Sequence, residues 1–384
     1  MSKKRSVRRR KRHGKALGAG FFLPADSMNH VLAFLDPVEG RRMLLLPLNR
    51  SFLVAYSRNE CMWRARCRAD PWYIPDSFRV PGSSWRALDL RLTSSLSMVK
   101  EHANPSALLE VLDLYNSNLV TLVRPCFQRL GQLLESDDAP LELDELENQC
   151  IMTHALRALE TFRDDAGLQV DVLHFLVVAG RPRGASEGTV IPSRRSTSSS
   201  GLDAFGPGGD GVQTLMTVMA AQPQHAGVLA MACWSLVNLA LAPAQKAHLL
   251  RLGGIEAVLA ALAAHSGNFE LQYRGLFALI NMVTPTENVR RETLKGVVFG
   301  VLAAMRTFSH EASIVNRGCL VLHNLSLDSK LCETMVKVGA REELASALNK
   351  HSSDTVLCQC ASGALRRLRM AALAGDVFQA PAEA

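Results

Sequence analysis

Apolar residues from about residue 211 to 370 recur three and four positions apart, as in Leu276-Phe277-Ala278-Leu279-Ile280-Asn281. That spacing puts one stripe of each segment on a single helical face. The stripes themselves repeat every 43 residues. Leu236, Leu279, Leu322 and Leu365 form one column; Leu239, Met282, Leu325 and Leu368 a second; Ala232, Gly275, Gly318 and Ala361 a third. Asn238, Asn281 and Asn324 keep the same interval, as do Gly253, Gly296 and Gly339. Small residues in the third column let neighbouring helices approach closely. Each column glycine follows a short helical stretch, such as AHLLRLG or ETLKG, and is expected to end it in a left-handed conformation. Each unit therefore reads as a short, a medium and a long helix. One such unit cannot bury its own apolar face, so the pattern predicts stacked repeats.

Upstream, Met28, Val31, Leu32 and Leu35 fall on one helical face, and Asp36-Pro37 stops that helix. A second apolar run, MLLLPL, leads to Asn49-Arg50-Ser51-Phe52, and the segment closes on CMWRARC. The divisions expected are a basic tail at 1–19, a helical module at 20–70 and its extension at 71–100, with Trp85 packing back. A helical region follows at 101–180, read as first layers of the stack or a joining layer, in which HALRALETF is offset from the period. Residues 181–210, rich in Ser, Gly, Pro and Arg, read as a flexible insertion. The repeats follow at 211–370 and a flexible end at 371–384. The predicted class is all-α.

The formal charge of +7 belongs to one end of the chain. Lys3, Lys4, Arg5, Arg8, Arg9, Arg10, Lys11 and Arg12, with Lys15, supply nine cations and leave 34 basic against 36 acidic residues elsewhere. A block this dense is a solvated tail or an address, here nuclear localisation. No aromatic is interleaved to stack on bases, so nucleic acid is not the expected partner. No apolar run is long enough to cross a bilayer, and no apolar stretch follows the leading charges. A membrane is therefore not an expected partner, nor export an expected fate. Nine scattered cysteines suggest free thiols, and a setting in the nucleus, the cytoplasm or both.

No catalytic constellation stands out: no G-x-S-x-G, no Walker A lysine loop, no H-E-x-x-H. The match to G-x-G-x-x-G at Gly206–Gly211 has no preceding strand. Catalytic residues, metal ligands and cofactors are all expected to be none. A binding protein is the expected class.

The repeat columns, with QKAHLLRLGGIEAVLAAL followed by ELQYRGLFALINM, resemble armadillo repeats over 211–370. The resemblance implies an α-solenoid whose long helices line a peptide groove. Asn238, Asn281 and Asn324 would then pair with the backbone of a bound segment, with Trp234 and Phe277 as walls. The same residues read by themselves also suit bonds between neighbouring helices and a core tryptophan. Arg367 stands where asparagine is expected, as on a solvent-facing capping helix.

Residues 20–70 resemble an F-box, a three-helix module. Leu23, Pro24 and Asp26 match its opening, Val31, Leu32 and Leu35 its first helix, and Met62-Trp63-Arg64 its close. Pro47 and a middle some two residues too long depart from the pattern. That resemblance implies adaptor contacts at Leu23, Pro24, Val31, Leu32, Leu35 and Trp63. Together the two implied modules describe the substrate-recognition subunit of an SCF-like ubiquitin ligase, docking a Skp-type adaptor and its cullin complex while the groove holds a substrate protein. The alternative is a nuclear-transport carrier or an interaction scaffold.

Overall fold

The computed structural model describes residues 59–69, 72–74, 82–101, 105–116, 118–135, 145–180, 210–283 and 289–379. The basic run, Leu23, Pro24, Val31, Leu32, Leu35 and nearly all of the 181–210 insertion lie outside them. The chain forms two compact units, 1–96 and 97–384. All regular structure among the described residues is helical.

In the first unit, α1 (Glu60–Arg68) is capped by Asn59, whose side chain accepts from the Met62 N–H at 3.1 Å. The start of α2 (Trp85–Glu101) belongs to the same unit. Glu60 accepts from the Trp85 N–H at 2.7 Å, so Trp85 does lie against α1. Arg66 and Asp89 form a buried pair at 2.8 Å. Burial raises the Asp89 pKa and Arg66 opposes that rise. Trp63 is only 1% exposed. Expected to face an adaptor, it belongs instead to the core of its own unit, where a ring of its size makes its largest apolar contribution.

The second unit is a stack of helical layers. Its long helices are α4 (Val120–Glu135), α6 (Ala166–Ala179), α8 (Ala226–Leu239), α11 (Phe269–Met282), α13 (Ala312–Leu325) and α16 (Thr355–Gln379), each packed on the next. The remaining helices back them: α3 (Pro105–Tyr115), α5 (Glu145–Thr161), α7 (Asp210–Ala221), α9 (Pro243–Arg251), α10 (Gly254–Ala264), α12 (Arg291–Thr307), α14 (Ser329–Lys337) and α15 (Ala340–Lys350). The leucine columns are the core: Leu236, Leu279, Leu322, Leu239, Met282 and Leu368 have no exposed surface. Burying each contributes about 1.5–3 kcal/mol. A Cβ on Gly275 would come within 2.6 Å of Leu262, and one on Gly318 within 2.5 Å of Met305. The small-residue column therefore marks places of close helix approach.

The glycine column divides into two roles. Gly253 (φ +79°) and Gly339 (φ +84°) are left-handed hinges between a short and a medium helix. Gly296 is not: α12 runs unbroken through it for 17 residues, replacing the expected pair. What Gly296 shares with the column is the lack of a side chain, since a Cβ there would press on Leu259 at 3.3 Å. Close packing against α10, not a turn, explains the glycine at this position.

Polar side chains lock the layers at both ends of the long helices. His225, Asn268 and Asp354 each cap a long helix by accepting an N–H three residues on, as Asp165 does for α6. Gln272 donates to the carbonyls of Leu262 and His265, and Gln169 donates to those of Leu159 and Phe162 at the same sequence intervals. The layer at 145–179 is thus built like the layers after 210. It is separated from them by an offset: Asp165 and His225 are sixty residues apart, whereas His225 and Asn268 are forty-three. The connection carries a net excess of seventeen residues, and the long-helix row continues across it.

Candidate functional site

The row of long helices presents a line of half-buried side chains: Trp234 on α8, Tyr273, Arg274, Phe277 and Asn281 on α11, and Arg317, Leu320 and Asn324 on α13. These positions follow from the repeat. The leucine columns turn one face of each helix inward, and residues one turn away from them emerge at the rim of the contact with the next helix.

The asparagines are engaged. Asn238 donates to the Val177 carbonyl at 3.1 Å, Asn281 to Val237 at 3.1 Å and Asn324 to Ile280 at 3.4 Å. Each NH2 therefore ties its helix to the last turn of the helix before it, and Asn238 is only 8% exposed. A last-turn carbonyl lacks an intrahelical donor, and an amide supplies one. One N–H of each amide thus serves the helix-to-helix reading of these residues. Arg367 belongs to the same scheme. Rather than facing solvent, it is half-buried and donates to the His323 carbonyl at 3.3 Å, forty-four residues back, as Asn281 and Asn324 do to theirs.

The rings form a connected cluster. Trp234 stacks on Tyr273 at 6.3 Å between centroids and meets Phe277 edge-on at 6.3 Å. Phe269, 40% exposed, also stacks with Tyr273, at 6.0 Å. Two guanidiniums complete it: Arg274 lies 4.7 Å over the Trp234 ring, and Arg317 lies 3.6 Å from the Tyr273 centroid and 4.9 Å from that of Phe277. Arg274 also donates to the Met231 sulfur and pairs with Glu270, and Arg317 donates to the Tyr273 hydroxyl. Burial lowers the Arg317 pKa, and Tyr273 counters it. Trp234 and Phe277 thus touch each other, as two members of a ribbon of rings and cations. Tyr273, Arg274 and Arg317 were not singled out from sequence. The available signal was the 43-residue interval from Met231 through Arg274 to Arg317.

Other chemistry is sparse here. Burial pushes the thiols of Cys67, Cys233 and Cys319 up to about 12, far from nucleophilic at neutral pH. Among the described residues, no group of three or more His, Cys, Asp or Glu is arranged to hold a metal ion. No single described helix is long and apolar enough to cross a membrane.

This architecture has a counterpart among solved structures. The chain aligns with beta-catenin, an armadillo-repeat protein, in a structure concerned with a phosphorylation switch that controls its interaction with cadherin. Identity is 17% and the TM-score 0.58, over 90% of this chain and 62% of that one. The fold is armadillo-like. The chain thus spans less than two thirds of the beta-catenin chain it matches. An engineered protein aligns at 17% identity over 72% of this chain and 97% of its own, with a TM-score of 0.42, from which nothing about the fold follows. No family model matches the chain, and no curated protein does.

Proposed function

We propose that the chain is a non-catalytic protein-interaction scaffold, whose row of long helices binds an extended segment of a partner protein. The observation that carries this reading is the half-buried ribbon of Trp234, Tyr273, Phe277, Arg274 and Arg317 on an armadillo-like stack. A stack holds such a ribbon rigid over several helices, so little ordering cost falls on the scaffold when a segment binds. Aromatic and arginine side chains supply most of the binding energy in protein interfaces. One N–H of each asparagine amide is bonded between helices, and in this reading rings and guanidiniums carry most of the contact.

Within that reading, the finer proposal is a substrate receptor of an SCF-like ubiquitin ligase. Its support is the F-box resemblance of residues 20–70, and the basic run adds a nuclear address. The receptor would contribute proximity and orientation while its partners carry out the lysine chemistry. Two experiments on the full chain separate the levels. A photo-crosslinking residue at position 320, in the ribbon, should capture members of a library of extended peptides, and one at exposed position 345 on α15 should not; equal capture at both sites rejects the scaffold face. A pull-down with a recombinant Skp-type adaptor should succeed with the native chain and fail with Leu23→Ala/Pro24→Ala. Absence of adaptor binding removes the ligase proposal and leaves the scaffold.

A further inference from the structure

The cations along the row are not equally neutralised. Arg124 on α4 pairs with Asp171 on α6, and Arg274 pairs with Glu270 one turn away on its own helix. Arg317 has no carboxylate partner among the described residues. Its polar contacts are the Tyr273 hydroxyl and the Ser313 carbonyl at 3.3 Å, both neutral, and its Nε is buried without a partner. The planar group is held against Tyr273 and Phe277, at 3.6 and 4.9 Å from their centroids. Ring faces attract a cation, but they do not cancel its charge. A half-buried guanidinium that has lost water and gained no anion is a standing electrostatic cost. The next arginine along the row, Arg367, likewise has no carboxylate partner among the described residues: it meets the Ser326 hydroxyl at 2.8 Å, and the His323 carbonyl and ring.

We propose that Arg317, boxed by Tyr273 and Phe277, is the anion-recognition point of the ribbon and takes an Asp or Glu carboxylate from an extended acidic segment of the partner protein. The inference rests on the scaffold reading above and specifies its partner. A carboxylate suits the place for three reasons. It is planar, so it can lie edge to edge with the guanidinium fork between the same two rings. It carries one charge, matching the single charge of Arg317, which has no carboxylate partner among the described residues. A phosphate group, tetrahedral and nearly doubly charged, calls for a second free cation beside it, and the nearby Arg274 is already committed to Glu270. The chain's own basic run, residues 3–12, has the wrong sign to occupy the site.

The test is a positional-scanning library of extended peptides, with phosphorylated members included, read for binding to the full chain. Four proteins are compared: native, Arg317→Gln, Arg317→Lys and Lys350→Gln, the last an exposed charge on α15. Circular dichroism checks that each is folded. The native chain should select Asp or Glu at one position of the bound peptides. Arg317→Gln should abolish that selection and weaken the best acidic peptide on the order of tenfold. Arg317→Lys should restore part of the selection and Lys350→Gln should leave it unchanged. Selection without an acidic preference, an acidic preference surviving in Arg317→Gln, or binding confined to phosphorylated members each overturns this proposal while the scaffold reading stands. No binding of any peptide by the native chain overturns the scaffold reading itself.

Discussion

The layer at 145–179 and those from 210 onward use the same means of packing but differ along the face. Asp165 and Asn268 cap their long helices identically, and Gln169 and Gln272 tie the same pairs of carbonyls. Sixty residues separate Asp171, His174 and Val178 from Met231, Trp234 and Asn238, and the first three occupy the matching places on α6. There the face is ionic: Arg124 and Gln128 both donate to Asp171, and His174 sits beside Glu135. Further along it is aromatic and cationic. Positions that hold layers together are thus constrained by packing, whereas those at the rim vary, and the rim is where the proposed binding chemistry lies.

Core truncation is the strongest test of whether the two regions share one design. Leu279→Ala and Leu176→Ala should each cost about 2–5 kcal/mol, read by urea unfolding, because both side chains are buried against neighbouring long helices. A large cost at one site and a negligible one at the other would divide the stack in two. Glycine replacements sharpen the contrast. Gly275→Val should lose about 1–3 kcal/mol, since Leu262 leaves no room even for a Cβ. Gly131→Ala, whose Cβ would meet only His174 at 3.5 Å, should cost nothing or gain up to about 1 kcal/mol of helix propensity.

A smaller effect is expected at the layer-to-layer bonds. Asn238→Leu, which strands the Val177 carbonyl, should cost about 1–3 kcal/mol in thermal or urea unfolding. The smallest concerns pH. Burial alone would raise the Asp354 pKa, but the Leu357 N–H, the Asn316 amide, the Val356 N–H and His351 together hold it below the usual range. A depressed carboxylate contributes stability that is complete above its unfolded pKa of about 4 and is lost as pH falls through the folded value. Asp354→Asn should therefore narrow the gap between melting temperatures measured at neutral and acid pH. An unchanged gap would remove Asp354 from the acid response.

How much of this was legible in the sequence depends on the interaction concerned. The columns Leu236–Leu365 and Ala232–Ala361 announced the stack because burial and close approach act on residue type at fixed intervals. The fused helix 291–307 was not legible: Gly296 satisfies the period whether it turns the chain or merely admits Leu259. The asparagines were ambiguous in a similar way, since an amide that bridges helices and one that binds a peptide occupy the same column. Arg274 and Arg317 escaped notice because a cation on a ring is decided by side-chain geometry between neighbouring helices. The seventeen-residue excess hid the layer at 145–179 until the equivalent caps Asp165 and His225 fixed the offset. The residues of the F-box resemblance, apart from Met62, Trp63 and Arg64, lie outside the described part of the chain.

The most direct measurement is the affinity of the full chain for peptides selected from an extended-peptide library, compared with that of a folded Trp234→Ala/Phe277→Ala variant. If the ribbon is the binding face, removing both walls should weaken the selected peptides by about a hundredfold or more, as for paired aromatic hot spots. Equal affinity in the two proteins would contradict the account, because the armadillo-like stack would then bind its partners elsewhere.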